Sequence, residues 1–375
     1  MRIKRLQAVN FRNLQQLVLE ASPSSNVIYG DNAQGKTNII EAIWLFSGNK
    51  SFRGAHEKEM IRFDCPSAEL TLTFEDEVRE QNARLVLGGK DRKKVFLNGV
   101  PQESQSALSG RVACVVFSPA HLSLVRDGPG VRRKFMDAAV CQINLRYREY
   151  LSQYEKVLAQ RNALLKDVVR FPDLRDTLDV WDLQMAKLGT ILTIYRQEYA
   201  QKISRSAAEF YRGFAKENAE PLSAFYRSTA FPQGEEITAY TDEAIGTYYQ
   251  AVKQSYEQDL RLGFTTVGIH RDDLELMMDG RELRTYGSQG QQRSTVLALK
   301  LSEAQILKTV TGENPVMLLD DVMSELDAAR QDYILNHVQQ FQVFLTCCDA
   351  ANTFRLREGT VFHIQNGGLT AEKTL

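Results

Sequence analysis

Cysteine is scarce in this chain. The five present, at positions 65, 114, 141, 347 and 348, include no C-x-x-C pair and one adjacent couple. That excludes a zinc ribbon and a disulfide framework and points to a reducing, cytoplasmic setting. Long apolar runs are missing as well: no stretch of about 18 apolar residues exists, and no signal core follows Met1-Arg2-Ile3-Lys4-Arg5, so no membrane partner is expected. Nor is there an excess of charge of one sign. With 46 basic and 47 acidic side chains the net charge is −1, which excludes a uniformly basic nucleic-acid coat and leaves only local patches, or patches doubled by dimerisation. Glycine and proline thin out between Arg132 and Leu262, where Tyr, Gln, Leu and charges predominate; that texture predicts helices.

What is there is a phosphate loop. Gly30-Asp31-Asn32-Ala33-Gln34-Gly35-Lys36-Thr37 fits G-x-x-x-x-G-K-[ST]. It lies between a short apolar run, Asn26-Val27-Ile28-Tyr29, and a helix-patterned stretch from Asn38 to Phe46. Glycines let backbone N–H groups turn toward phosphate oxygens, Lys36 supplies a charge at the β/γ-phosphates, and the Thr37 hydroxyl can ligate Mg²⁺. Such a loop needs an acidic strand end. Pro315-Val316-Met317-Leu318-Leu319-Asp320-Asp321 supplies one, with Asp320 as the magnesium partner and Asp321 as the water-orienting base. Taken alone, two adjacent aspartates read better as a strand-ending turn or an N-cap; the motifs around them reverse that.

Ser288-Gln289-Gly290-Gln291-Gln292-Arg293 opens a predicted helix through Leu307, and a Ser-x-Gly turn at a helix N-terminus can hold an anion. Because the near side of a nucleotide is already met by its own loop, this second anion site is expected to meet the γ-phosphate of a neighbouring subunit. The bland alternative is a Ser N-cap in a glycine loop.

Short period-two runs at Ile3–Phe11, Leu70–Phe74, Arg84–Leu87, Lys94–Leu97 and Val112–Phe117 predict a strand-rich lobe around the loop. Helical spacing from Tyr147 to Leu165 is stopped by Phe171-Pro172, and Leu174 to Ile203 carries a second helical seam, predicting a helix over 173–212 on the order of 60 Å long. Strands return at Val316–Leu319, Val343–Thr346 and Val361–Ile364. The fold expected is therefore an α/β phosphate-loop NTPase head, residues 1–130 and 263–375, interrupted by a helical arm, 131–262. Two basic runs, Asp91-Arg92-Lys93-Lys94 and Val131-Arg132-Arg133-Lys134, are candidates for nucleic-acid phosphates or for solvated faces in equal measure.

The order of loop, long insert, Ser288–Arg293, Asp320-Asp321 and Ser324-Glu325-Leu326-Asp327 resembles the ABC-type ATPase heads of the SMC class. More narrowly, the chain is similar nearly end to end to the RecF family of bacterial DNA replication and repair proteins. Asn10-Phe11-Arg12-Asn13-Leu14, Thr37 to Ile43, Ser51-Phe52-Arg53-Gly54, Val116-Phe117-Ser118-Pro119 and His270-Arg271-Asp272-Asp273-Leu274 carry that likeness. The resemblance implies that Ser288 and Gly290 form the signature motif, Ser324 to Asp327 the D-loop, and Arg53 a phosphate contact. Candidate nucleotide residues are then Gly30, Asp31, Asn32, Ala33, Gln34, Gly35, Lys36, Thr37, Asn38, Arg53, Ser288 and Gly290. Thr37 and Asp320 are the metal ligands, and Asp321, Lys36 and Ser288 the catalytic set. It further implies ATP and Mg²⁺ as cofactors and an ATP-dependent homodimer. That dimer would bind single-stranded, double-stranded and gapped DNA and help load RecA with RecO and RecR.

Several positions depart from the wider ABC pattern. Leu345-Thr346-Cys347-Cys348-Asp349 offers Thr346 or Cys347 where a switch histidine is usual, and only Gln142 is on offer as a Q-loop residue. Asp321 stands where the SMC class carries Glu, one methylene longer, so slow hydrolysis is expected. His270 reads equally as a ligand contact and as part of a polar turn. Other readings are an ATP-binding repair scaffold with negligible turnover and the nucleotide-binding subunit of an ABC transporter.

Overall fold

The computed structural model describes residues 1–88, 93–168, 170–214, 220–348 and 358–374. The chain divides into two units. Unit 1 comprises Met1–Leu122, Phe210–Glu217 and Val296–Leu375, and unit 2 comprises Ser123–Glu209 and Asn218–Thr295.

Unit 1 opens with β1 (Arg2–Phe11), β2 (Leu14–Glu20), β3 (Ser25–Tyr29) and α1 (Lys36–Leu45). It continues with β4 (Ser67–Glu75), β5 (Glu80–Gly88), β6 (Lys94–Leu97), β7 (Val100–Gln102) and β8 (Cys114–Phe117). Unit 2 adds α2 (Ser123–Arg126), α3 (Pro129–Ile143), α4 (Leu145–Val168), α5 (Leu178–Phe214), β9 (Leu222–Arg227), α6 (Asp242–Gln254) and α7 (Tyr256–Leu262). After these come β10 (Asp273–Met278), β11 (Arg281–Glu282), α8 (Leu283–Tyr286) and α9 (Gln289–Thr311). The chain closes in unit 1 with β12 (Val316–Asp320), α10 (Ala328–Val338), β13 (Val343–Cys347), β14 (Gly359–Gln365) and β15 (Gly368–Thr374).

Two sheets build unit 1. The lobe sheet runs β2-β1-β4-β5-β6-β7, each pair antiparallel. In β4 burial alternates strictly, Ala68, Leu70, Leu72 and Phe74 facing inward, as a sheet with one solvated face requires. The second sheet runs β15-β14-β3-β13-β12-β8 and is parallel from β14 to β8. Its inner strands β12 and β13 are buried at every position, so they read in sequence as unbroken apolar runs. Because β3 lies between β13 and β14, the loop that leaves β3 emerges at the carboxyl edge of the parallel strands, beside the end of β13.

Unit 2 is mostly helix. α5, 37 residues and about 56 Å of helix, belongs to unit 2 up to Glu209 and starts at Leu178 rather than 173 because a 3₁₀ turn, Pro172–Thr177, precedes it. Of the expected seam Leu178, Met185, Leu192, Tyr199 and Ile203 are buried. Arg161 lies fully buried between Asp182 (2.6 Å) and Asp259 (2.7 Å), with Thr265 also accepting from it at 2.7 Å. Losing one carboxylate of such a buried set leaves an uncompensated charge.

The unit boundaries differ from 131–262. β9 lies inside that range, yet it pairs with β10 beyond it, Arg227 opposite Asp273 through Leu222 opposite Met278. Those pairings gather residues 218–295 into unit 2.

Two imidazoles are held neutral. Burial, helped by Lys300, pushes the His121 pKa down to about 3. Burial likewise pushes His270 down to about 4, against the opposing bond to the Thr265 carbonyl. With folded values below the unfolded value of about 6.5, each contributes stability that is complete above pH 6.5 and lost as the pH falls toward the folded value. Both rings keep some surface, so the discounted cost is about 1–2 kcal/mol each at pH 5. Urea unfolding at pH 7 and pH 5 is expected to show a smaller acid-induced loss in His121→Gln/His270→Gln than in the unmodified protein; equal losses would place the sensitivity elsewhere.

Candidate functional site

The site begins where β3 ends. Gly30 (φ 149°) turns the chain so close to β14 that a Cβ there would lie 2.3 Å from the Ile364 carbonyl oxygen. Gly35 (φ 110°) closes the loop against Asn13, and α1 follows at once. Bonds from outside fix the loop's shape: Asn13 Nδ2 donates to the Ala33 carbonyl (3.2 Å), and the Gly367 N–H to that of Gln34 (3.0 Å). Lys36, 7% exposed, donates from Nζ to the carbonyls of Gly30 and, at 2.9 Å, Asp31. Its ammonium is thereby held across the loop, and those two carbonyls are its competitors when phosphate oxygens arrive.

Opposite the loop stands the end of β12. The Thr37 hydroxyl donates to Asp320 Oδ1 at 2.8 Å, and the Thr346 hydroxyl, at the end of β13, donates to the same oxygen at 2.9 Å. Thr346 also accepts the Asp321 N–H (2.8 Å), fixing Asp321 in a left-handed conformation, φ 53°. Burial raises the Asp320 pKa above the ordinary carboxylate value; the two threonine donors pull it back, and the Asp321 charge adds to the rise. Ser324 Oγ donates to the Asp321 carbonyl (2.8 Å), and Asp327 caps α10 by accepting from the Arg330 N–H (2.9 Å). The segment 321–327 is therefore a hydrogen-bonded turn leading from the carboxylates into a helix.

Thr37 and Asp320 offer two hard oxygens at one point, a donor set suited to Mg²⁺, which commonly completes its shell with waters and substrate phosphates. Among the described residues no group of three or more His, Cys, Asp or Glu could hold a metal.

A polar ladder extends from the loop. Asn38 Nδ2 donates to Asn13 Oδ1 (2.7 Å), and Arg53 Nη1 donates to Asn38 Oδ1 (2.9 Å). Fully buried Glu41 anchors it, taking a two-point pair from Arg12 (3.0 Å each), a bond from Ser51 and a longer contact with Arg53 (3.6 Å). Arg53 thus reaches Asn38 in the first turn of α1. The contact between Arg12 and Glu41 is not legible in the sequence, because the two lie 29 residues apart and only the fold joins them.

Other expectations change. At the position of a switch histidine, Thr346 is spent on the two aspartates and Cys347 is buried. It is exposed Cys348 whose thiol meets the loop, donating to Asn32 Oδ1 (3.1 Å) and lying 3.8 Å from Lys36 Nζ. Asp349 lies outside the described residues. Gln142 is buried within α3 and presents no amide to a ligand surface, because its helix face packs inward. His270 belongs to a turn: Nε2 donates to the Thr265 carbonyl (3.0 Å), which leaves Nδ1 to accept from the Tyr154 hydroxyl (3.0 Å).

Of the basic runs, Arg132 is 6% exposed and forks onto Asp273 (2.8 and 2.7 Å), while Arg133 donates to the Asp272 carbonyl. Arg132 is a buried structural ion pair, not a phosphate contact. In the other run Asp91 and Arg92 lie outside the described residues, and Lys93 is engaged by Glu57 (2.6 Å) and Gln105 (2.7 Å).

Ser288 and Gly290 belong to unit 2. There Ser288 Oγ accepts from the Gln291 N–H (3.2 Å) and Gln291 Oε1 accepts from the Ser288 N–H (2.7 Å), a reciprocal cap on α9. The cap leaves Ser288 exposed at the helix N-terminus.

The family described as RecF/RecN/SMC N terminal domain matches residues 2–365. The chain is 39% identical over 367 residues to the DNA replication and repair protein RecF of Agathobacter rectalis, covering 97% of this chain and 98% of the relative. To that of Clostridioides difficile it is 36% identical over 373 residues, 98% and 97% of the two chains. Among solved structures, a recombination mediator protein RecF with ATP in the RecFOR pathway superposes with a TM-score of 0.90 at 34% identity, covering 100% of this chain and 97% of that one. An Smc head bound to the C-winged helix domain of ScpA gives a TM-score of 0.56 at 14% identity, over 100% and 98%, a likeness of fold alone. Among the described residues no helix is long and apolar enough to cross a membrane.

Proposed function

The chain belongs to the RecF family, with an ABC-type ATPase head fold, and from that premise we propose that it is a DNA replication and repair protein acting as an ATP-gated DNA clamp. In this reading ATP joins two copies, the dimer binds single-stranded DNA and gapped duplex junctions, and it helps RecO and RecR load RecA. The observation that carries it is the meeting of the Thr37 hydroxyl and the Asp320 carboxylate, 2.8 Å apart, at the mouth of the Gly30–Thr37 loop.

In this reading Gly30 to Thr37 wrap the phosphates with backbone N–H groups, and Lys36 exchanges the Gly30 and Asp31 carbonyls for β/γ-oxygens. Asn38 and Arg53 extend the cradle. Thr37 and Asp320 would hold Mg²⁺, which supplies charge neutralisation at the β- and γ-oxygens. Asp321 orients water toward the γ-phosphate from a carboxylate shorter than glutamate, so turnover is slow and serves as a timer for the clamp. Ser288 and the backbone of Gly290 face the γ-phosphate of the partner copy. The reciprocal cap between Ser288 and Gln291 supports this, because it fixes the turn from which the Gln289 and Gly290 N–H groups leave, ahead of the first intrahelical bond from Gln292 to Ser288.

The trans role has a direct test. Ser288→Arg is expected to bind ATP with unchanged affinity as a monomer yet form no ATP-dependent dimer, by light scattering at concentrations where the unmodified protein dimerises. Mixed with Lys36→Ala protein, it can complete at most one composite site. A dimer formed by Ser288→Arg alone at ordinary concentration would remove Ser288 from the partner's nucleotide.

A further inference from the structure

The turn that carries Ser288 and Gly290 is held by two glutamine side chains, and each of these is held in its turn by a charged residue from elsewhere in unit 2. Gln292 Nε2 donates to the Gly287 carbonyl (3.1 Å), while its Oε1 accepts from Arg126 Nε at the end of α2 (3.2 Å). Gln291 Oε1 accepts the Ser288 N–H (2.7 Å), while its Nε2 donates to Glu220 Oε2 (2.6 Å). The cap on α9 uses one end of Gln291; a carboxylate 71 residues earlier in the chain takes the other.

Backbone pairing places Glu220. It stands just ahead of β9, where the Pro221 carbonyl accepts the Asp279 N–H (3.0 Å) and Leu222 lies opposite Met278 of β10. The same strand continues through β11 and α8 to Gly287, so the carboxylate and the turn are anchored to one small sheet. The two ends of an amide are nearly alike in shape and opposite in hydrogen bonding. Were Gln291 reversed, its NH₂ would face the Ser288 N–H and its oxygen would face the Glu220 carboxylate, so both contacts would fail together. Glu220 therefore selects the orientation that takes up the Ser288 N–H. A glutamate at position 291 would serve an ordinary capping box equally well, but here it would set two carboxylates against each other.

We propose that Glu220 is a positioning residue for nucleotide recognition across the dimer: acting through Gln291, it holds the Ser288–Gly290 turn in the shape that meets the γ-phosphate of the partner copy. The proposal rests on the trans reading of Ser288 above and extends it to a residue outside the motif that itself touches no nucleotide. Each copy supplies one such turn, so a homodimer with two composite sites feels the loss of Glu220 twice. A hydrogen bond of typical net worth changes one site about two- to twelvefold, and the dimer should then weaken about 5- to 150-fold.

Sedimentation velocity with ATP over a range of protein concentration tests this on the full chain. Glu220→Ala and Gln291→Glu are each expected to raise the dimer dissociation constant within that range, with the melting temperature and the monomer's affinity for a fluorescent ATP analogue unchanged. Glu220→Gln keeps an acceptor oxygen for Gln291 Nε2 and should lose less than Glu220→Ala. The double variant Glu220→Gln/Gln291→Glu exchanges the two groups. Its new amide can donate to its new carboxylate, whose other oxygen accepts the Ser288 N–H, so it should dimerise more tightly than Gln291→Glu alone, a coupling that independent surface changes would not show. A double variant no tighter than Gln291→Glu, or Glu220→Ala dimerising as the unmodified protein does, would overturn the proposal while leaving Ser288 in its trans role. If the unmodified protein forms no dimer with ATP, the trans reading falls and the proposal with it.

Discussion

Lys36→Ala is expected to lose nucleotide binding and with it every ATP-dependent property, while the fold survives. The loop does not depend on the lysine for its shape, because that is set by the positive φ angles of Gly30, Ala33 and Gly35 and by bonds from Asn13 and Gly367. What the substitution removes is the ammonium held across the loop, donating to the Gly30 and Asp31 carbonyls. A charge-assisted bond is worth about 1.5–3 kcal/mol, so affinity should fall on the order of ten- to 150-fold for one such contact and further where Nζ serves two phosphates. Titration with a fluorescent ATP analogue reads the loss, and an unchanged melting temperature without nucleotide shows that folding is not its cause. Ordinary affinity in the variant would remove Gly30–Thr37 from the nucleotide site.

Asp321→Asn separates binding from turnover. Asp320 keeps both threonine donors, and the Asp321 N–H keeps its bond to Thr346, so the backbone at this strand end is retained. The amide cannot take a proton from water, and loss of a positioned general base costs about 10²–10⁴-fold in rate. ATP affinity and ATP-dependent dimerisation should therefore persist, with dimers that live longer because the timer is stopped. Single-turnover hydrolysis at the rate of the unmodified protein would show that Asp321 orients no water.

Much of the head was readable because its chemistry is local. β3, the loop and α1 are contiguous, and β12 ends in its own aspartates, so period and motif place them without knowledge of the fold. Where the readings failed, the deciding partner was distant. The Val131–Lys134 run looks solvated until Asp273, 141 residues on, takes Arg132 into a buried fork. β9, with sequence LSAFYR, has weak alternation among helices and is a strand only because β10 pairs with it. Cys348 reaches Asn32 and Lys36 because β13 runs parallel beside β3, a neighbourhood that no spacing in the sequence encodes. The contact between Arg12 and Glu41 is not legible for the same reason, their ladder being assembled from two strands' distance apart.

The position of β3 has a consequence for synthesis. Its neighbours in the sheet, β13 and β14, begin at Val343 and Gly359, more than 300 residues after Ser25. A chain emerging from the ribosome therefore carries the phosphate-loop sequence early but has nothing on either side of the strand that presents it. Long-range parallel pairing of this kind pays its loop-closure entropy before any contact rewards it. Nucleotide binding thereby becomes a report on translation past β13 and β14, and products cut short before Val343 should neither bind ATP nor enter a dimer with longer copies.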